Sequence, residues 1–584
     1  MAKKDKSKDL RIIAVGALSV IISLNCCTVP FMITETAFAQ DAVTSDLEET
    51  IPAEQGESAG ESSGDTTGES TGDAAGESSG ESSGDAMDRV FSFDMNAYDY
   101  TGENNGVLTA DGQEIISDGE TVSSEEPNVN ALLAKNDGTL VFTNGTVYKS
   151  GDNDDGDSTN FYGINSISLT VGENSRSYIS DSTLNASSAG SNGIFSTDKA
   201  ISCVKNVTID TTGAGCHGLD ATYAGTILAD GVNIVTHGSR SAVLATDRGG
   251  GNLSVTNSTV ATEGDASPIF YSTGNIQVDH VTGSSVNSQI AVIDGKNTIL
   301  MWNSEFISSY APESGFGMAN GIQLYYSVSG DSETSTGEGS RFQAVNTTLS
   351  SAIKSGAMFY VNKTAGSILL SCSNISFDTE AAALLLVAGG TAGSLGASSG
   401  ESAGSSSVTG ANAAFTARNQ VLEGRIEVDN ISTLDFYLLD ESSYTGYMII
   451  TENSEAAEAA AEAAEDADNS ADTEETGAEA ATEPGITVNI SADSAWIITQ
   501  DTTISSLNAE EGAKILDTAG NPVTIIAGGV TVAEGSETVL TVEGSYSTTF
   551  TTGEVNEITG DFIDRTPFDE YFKTSTAFGT NSAE

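Results

Sequence analysis

The chain has 584 residues, 83 acidic against 22 basic, for a formal net charge of −61. Such a surface repels nucleic-acid phosphates and anionic membranes, which argues against both as partners. Three histidines and five cysteines, with no CxxC and no HExxH pattern, point to no zinc site.

Residues 1–39 read as an export signal. Lys3, Lys4, Lys6, Lys8 and Arg11 precede an apolar run at 12–24, and Ala37-Phe38-Ala39 supplies a small-x-small cleavage site. The run is short for a bilayer span, so no membrane insertion is expected once the signal is removed. The mature chain then starts near Gln40 and keeps 17 basic against 80 acidic residues, a net charge of −63. It is expected outside the cell, secreted or held at the cell surface. Cys203, Cys216 and Cys372 remain, an odd number for an oxidising exterior. A Cys203–Cys216 bridge and burial as small apolar residues are both open.

Residues 40–86 repeat Gly, Ser and Glu with little to bury, and predict a disordered linker. From 87 to 450 the chain repeats. An Asn or Asp precedes an apolar residue by three positions in Asn144-Gly-Thr-Val147, Asp181-Ser-Thr-Leu184, Asn206-Val-Thr-Ile209, Asn257-Ser-Thr-Val260, Asn303-Ser-Glu-Phe306, Asn346-Thr-Thr-Leu349 and Asn374-Ile-Ser-Phe377. Gly231 takes the same place before Ile234, so that 181, 206, 231 and 257 mark a period of about 25 residues. Gly213, Gly238 and Gly264 form a second landmark, continued by Asn287, where a left-handed backbone is expected. Apolar residues sit four and two positions before the first landmark, as in Leu140/Phe142, Leu253/Val255 and Leu370/Cys372, which is strand alternation.

Short strands, Asn/Gly/Ser turns and this period predict an all-β fold: a right-handed parallel β-helix with three strands per coil, each coil burying its inward residues only by stacking. The asparagines should form a ladder at one turn. A Gly/Ser loop at 391–409 and an Ala/Glu-rich insertion at 451–484 interrupt the scaffold, and a short helix is expected within 455–465. Coils resume over 485–550, including Pro522-Val-Thr-Ile-Ile526 and Val530-Thr-Val532. The aromatic-rich stretch within 551–584 is expected to cap one open end, and Phe93 and Tyr98 the other.

The runs Asp247-Arg-Gly-Gly-Gly251, Gly356-Ala-Met-Phe-Tyr360, Ser432-Thr-Leu-Asp-Phe-Tyr437 and Ser494-Ala-Trp-Ile-Ile-Thr499 resemble secreted, adhesin-like parallel β-helix proteins of anaerobic Gram-positive bacteria. The resemblance spans roughly 125–535. It implies the fold and a surface location, and it implies no agreed activity.

Pectin-degrading enzymes share this architecture, but the chain lacks Arg-x-Lys, and His217 lies in Gly-Cys-His-Gly. One face holds candidate chemistry. Aligned coils place Asp220, Ala245, Tyr271 and Asp294 at one position, with Asp247 and Lys296 two residues on and Arg248 beside Asp247. Paired carboxylates there suit glycoside hydrolysis if their separation allows; alternatively Asp247 and Arg248 pair across the Gly-Gly-Gly turn. Asp247, Arg248 and Tyr271 are equally candidate binding residues. Asp152, Asp154, Asp155 and Asp157 offer oxygen ligands for Ca2+, though not at EF-hand spacing. Three functions follow as expectations: a non-catalytic binding protein for glycans or for host or bacterial surface ligands, a polysaccharide lyase or glycoside hydrolase, and a surface spacer.

Overall fold

The computed structural model describes residues 97–153, 155–312, 319–327, 339–391, 408–459 and 484–580. The export-signal and linker expectations, Phe93 and Asp154 lie outside these residues. Of two compact units, Met1–Phe93 and Asp94–Glu584, only the second contains described structure.

The second unit is a right-handed parallel β-helix. Its strands form three rows. The first row is a 13-stranded sheet running from Asn105–Asp111 to Met448–Thr451. The second and third rows merge into one 23-stranded sheet, because Asn252–Thr262 and Asn275–Ser285 turn the corner between them without a break. Thirteen stacked strands at ~4.8 Å make a rod roughly 60 Å long.

The landmark residues explain the winding. Asn144, Asp181, Asn206, Gly231, Asn257, His280, Asn303, Asn346, Cys372, Asn419 and Asp440 occupy successive coils at the turn between the second and third rows, all with φ between 47° and 67°. Asn and Gly tolerate this left-handed backbone best. The side chains also link coils: Asn206 Nδ2 donates to Asp181 Oδ1 at 3.0 Å and Asn346 Nδ2 to Asn303 Oδ1 at 2.7 Å. One or two residues further on runs a spine of acceptors. The Ser258 hydroxyl takes the Val232 N–H (3.0 Å), Ser304 that of Val281 (3.0 Å) and Ser442 that of Gln420 (3.0 Å).

Two landmark readings need correction. Thr348 pairs with Asn374, so the ladder residue in that coil is Cys372 (φ 49°), and Ile368 and Leu370 point inward. Cys372 is therefore a half-exposed turn residue and not core. The second landmark also stacks, but for another reason. A Cβ on Gly238 would lie 1.8 Å from the Gly213 carbonyl oxygen, and one on Gly264 would lie 1.7 Å from that of Gly238. Close approach of backbones selects glycine there, not a left-handed φ.

Inside, one continuous apolar cluster runs from Ala110 to Val542. Aromatic rings stack along its upper half: Phe359–Phe415 at 5.6 Å, Phe415–Phe436 at 5.5 Å, Phe436–Tyr444 at 5.3 Å and Tyr444–Trp496 at 6.0 Å.

The ends differ from the expectation. Coils resume in parallel register from Gly485–Ile490 to Lys514–Asp517, as expected, but the expected strands at 522–526 and 530–532 form an antiparallel hairpin, Thr524–Ala527 with Val530–Ala533. Its two-residue turn, Gly528-Gly529, has φ of 55° and 76°, as a type I′ turn demands. The stretch after 550 does not cover an open end. It runs back along the outside of the second row as a strap. Asn556 donates to Thr416 Oγ1 (2.8 Å), the Thr559 N–H to Gln343 (2.9 Å) and the Ile563 N–H to Gln277 (2.9 Å). Further on, Phe568 packs against Cys203 and Leu228, and Tyr571 stacks on Tyr178 at 3.7 Å. Trp302 lies beneath Phe562 and Phe578.

Cys203 and Cys216 are both buried and free, which removes the bridge. Cys203 faces outward from the second row under the strap. Cys216 stands in a serine column at a corner, accepting the Ser191 N–H at 3.1 Å and donating to the Ser188 carbonyl at 3.1 Å. The Gly/Ser loop leaves the scaffold through a short antiparallel pair, Gly390–Thr391 with Val408–Thr409. Residues 454–459 of the Ala/Glu insertion are helical, and the rest of the expected helix lies outside the described residues.

Candidate functional site

The outward side of the first row carries the candidate residues. Leu133, Leu169, Phe195, Asp220, Ala245, Tyr271, Val292, Gln323 and Tyr360 are in register on successive coils. Val292 thus holds the place expected for Asp294. Asp294 and Asp247 lie two residues on, at the level of Thr273, and Lys296 two further still. The coil step from Tyr271 to Val292 is shorter than that from Ala245 to Tyr271, because both flanking turns contract: 247–251 to 273–274 between first and second rows, and 263–269 to 286–290 between third and first. A slip of two residues keeps every side chain on its face, so alternation does not reveal it.

Near the N-terminal end this face is roofed. A short helix, Gly156–Tyr162, follows the acidic loop and lies across the coils. Asn192 Nδ2 donates to the Thr159 carbonyl (3.0 Å), and the Thr222 hydroxyl to that of Phe161 (2.8 Å). The Arg248 guanidinium sits over the Phe161 ring at 3.8 Å. Tyr98, Tyr162 and Tyr223 pack edge-on or stacked at 5.5–5.7 Å, so Tyr98 covers the side of several coils rather than the rod's end.

Asp220 is fully buried beneath this roof, and neither carboxyl oxygen finds a hydrogen-bond partner among the described residues. Burial, then the nearby Asp247 charge, pushes its pKa well above the ordinary 3.8. The folded protein binds this proton more tightly than the unfolded chain. The stability it contributes is therefore complete below pH 3.8 and is lost as pH rises through the raised value. Asp220→Asn is expected to raise the melting temperature at pH 8 and to leave it unchanged at pH 3.5. Equal melting curves for the two proteins at pH 8, by circular dichroism, would show that Asp220 sits in water.

Further along, Asp294 is fully buried and its oxygens are engaged: Oδ1 accepts the Ser327 N–H at 2.8 Å and Oδ2 the Ser327 hydroxyl at 2.5 Å. Tyr325 donates to Asp294 and accepts from Tyr271; burial, then the Asp294 charge, raises its pKa. Tyr325 ends the first-row strand Ile322–Tyr325 as the register partner of Asp294, and Ser327 follows it; the 31-residue step from Asp294 exceeds the period, so the repeat did not align them. Tyr271, Asp247, Asp294 and Tyr325 therefore form one cluster, with Asp220 a coil away under the roof.

The chain matches no family model and no curated protein. Among solved structures it is similar to a chain of the cryo-EM structure of the Vag8–C1 inhibitor complex, at 12% identity over 76% of this chain and 100% of that one, with a TM-score of 0.34. A likeness of that size bears on neither activity nor partner. The resemblance seen in the sequence holds for the fold itself, the parallel β-helix.

The acidic loop is tied to the neighbouring coil and to the helix that follows it. Asp152 Oδ1 accepts the Ala189 N–H of the next coil at 2.9 Å, while Asp155 precedes the helix Gly156–Tyr162 and Asp157 lies in its first turn. Among the described residues no three His, Cys, Asp or Glu side chains converge as metal ligands. Nor is any described helix long and apolar enough to cross a membrane. His217 is buried and pushed down to about 4 by desolvation. His237 lies between Glu263 (2.8 Å) and Asp210 (3.6 Å); these carboxylates outweigh partial burial and raise its pKa.

Proposed function

We propose that this chain is an exported, non-catalytic binding protein whose β-helix presents a long side face to glycans or other ligands at a cell surface. The burial of the candidate carboxylates carries this reading. Asp220 and Asp294 have no exposed surface and Asp247 is 7% exposed. A glycoside hydrolase needs one carboxyl group against the leaving oxygen and a second at the sugar ring or its water. Here Ser327 occupies both Asp294 oxygens, and both Asp220 oxygens are shut off from solvent. Groups so placed hold loops and rings in position. The partly exposed Tyr271, Arg248 and Lys296 offer contact surface.

A glycan array run beside reducing-sugar and unsaturated-product assays on plant and host polysaccharides separates the readings. Saturable binding without turnover is the expected result. Product release that Asp247→Asn abolishes would instead make the chain a lyase or hydrolase. Neither binding nor turnover would leave a surface spacer.

A further inference from the structure

A second place on the rod has the make-up of a ligand site. It is a cleft of about 320 Å³ on the outer side of the third row, at its N-terminal end. Ser123, Tyr148, Asn185 and Asp210 stand there in register on four successive coils. The Tyr148 ring is 52% exposed. Thr212 and the buried Lys149 complete the wall. Lys149 Nζ donates to the carbonyls of Glu126, Ser150 and Gly151 at 3.3, 2.5 and 3.3 Å, which fixes the floor of the cleft.

At other places on this scaffold some outward polar groups are tied from coil to coil: Asn508 donates to Asn489 at 2.9 Å, and Thr259 meets Thr282 at 3.4 Å. In the cleft they are left to solvent. Asn185 makes one long contact, Nδ2 to the Val147 carbonyl at 3.5 Å, and Asp210 reaches only His237 at 3.6 Å. An open aromatic face flanked by amide, carboxylate and hydroxyl groups at ~4.8 Å intervals is what a sugar ring requires. Its apolar C–H face stacks on the ring and its hydroxyl edge bonds to the polar row. Above Asp210 the column continues as Val235 and Ala261, so the polar row ends there.

We infer that the Tyr148–Asn185–Asp210 cleft is a binding subsite for an uncharged glycan. Tyr148 is the stacking platform, and Asn185 and Asp210 are the hydroxyl-binding groups. The Glu125 and Asp210 carboxylates, on a chain of net charge −61, select against uronic acids and sulfated sugars. The inference rests on the binding reading above and adds to it a ligand class and a location away from the first-row face.

Isothermal titration of the mature full-length chain with cellobiose, chitobiose and lactose tests it, with trigalacturonate as the charged comparator. At least one neutral disaccharide should bind saturably and trigalacturonate should not. Tyr148→Ala should weaken binding about tenfold, while Tyr148→Trp keeps it. Tyr148 is a surface residue, so both variants should fold, which circular dichroism checks. Neutral-sugar binding that survives Tyr148→Ala and disappears in Tyr271→Ala would overturn the cleft and leave the binding reading standing. No response to any of these sugars, from a chain that does bind on the array, would overturn the cleft alone. Silence in both would overturn the two together.

Discussion

A chain ending at residue 550 is expected to fold into its coils but to lose much of its resistance to heat and to expose a thiol. The strap covers residues that a three-row helix would otherwise leave in water. Phe568 is 1% and Phe578 9% exposed. They lie against Cys203 and Leu228, and against Leu300 and Trp302, respectively. Each large side chain so buried contributes about 1.5–3 kcal/mol. Arg565 fastens the segment: its guanidinium donates to the Ser254 carbonyl at 2.7 Å, the Ser254 hydroxyl at 2.9 Å and the Ala229 carbonyl at 3.1 Å. Arg565→Ala alone should cost on the order of 3 kcal/mol, since it strands buried acceptors. Burial under the strap pushes the Cys203 thiol up to about 12, which keeps it unreactive. Removing the strap should bring Cys203 into rapid reaction with a thiol reagent at pH 8, while Cys216 stays protected in its serine column. A Cys203 as inert in the shortened chain as in the whole one would show that the strap is not what covers it.

The second large effect belongs to the interior. Phe415 is fully buried between Phe359 and Phe436, with ring centroids 5.6 and 5.5 Å away. Phe415→Ala removes one link of the axial stack and leaves a cavity in a close-packed column. The expected cost is about 3–5 kcal/mol in denaturant unfolding. Because each coil leans only on its neighbours, hydrogen-exchange protection should fall first in the coils around Phe359 and Phe436 and least near Leu140. A loss below about 1 kcal/mol would mean that the stack is not packed as a unit.

The two register errors of the sequence reading have one cause. The sequence showed the repeat because two of its demands are local: a left-handed turn that favours Asn, and strands that alternate. It misplaced Asn374 for Cys372, and Asp294 for Val292, because both slips are of two residues and alternation has period two. His280, with φ 56°, was missed on the ladder because the place three residues on, apolar elsewhere, is Gly283. The first-row cluster was legible in part. Asp220, Asp247, Tyr271 and Asp294 do share one face, but Tyr325, the strand partner of Asp294, comes 31 residues after it, a step well over the period, and Ser327 follows in the next turn. The helix Gly156–Tyr162 that roofs Asp220 read as an acidic loop, being too short to show a 3.6-residue pattern. The strap was invisible as such: residues 551–580 bond to partners more than 130 positions away, such as Asn556 to Thr416 and Arg565 to Ala229, and no local pattern encodes that.

Every residue grouping above depends on coils stacked in register, and pulsed electron–electron spin resonance measures that spacing. Thr183, Thr208, Asn233, Thr259, Thr282, Glu305, Thr348 and Asn374 form one outward column on the third row. Spin labels at 183 and 348 should lie ~29 Å apart, and labels at 183 and 374 ~34 Å, both as narrow distributions, since each coil adds ~4.8 Å. Broad distributions, or a second distance no longer than the first, would contradict the stacked-coil arrangement and the sites read from it.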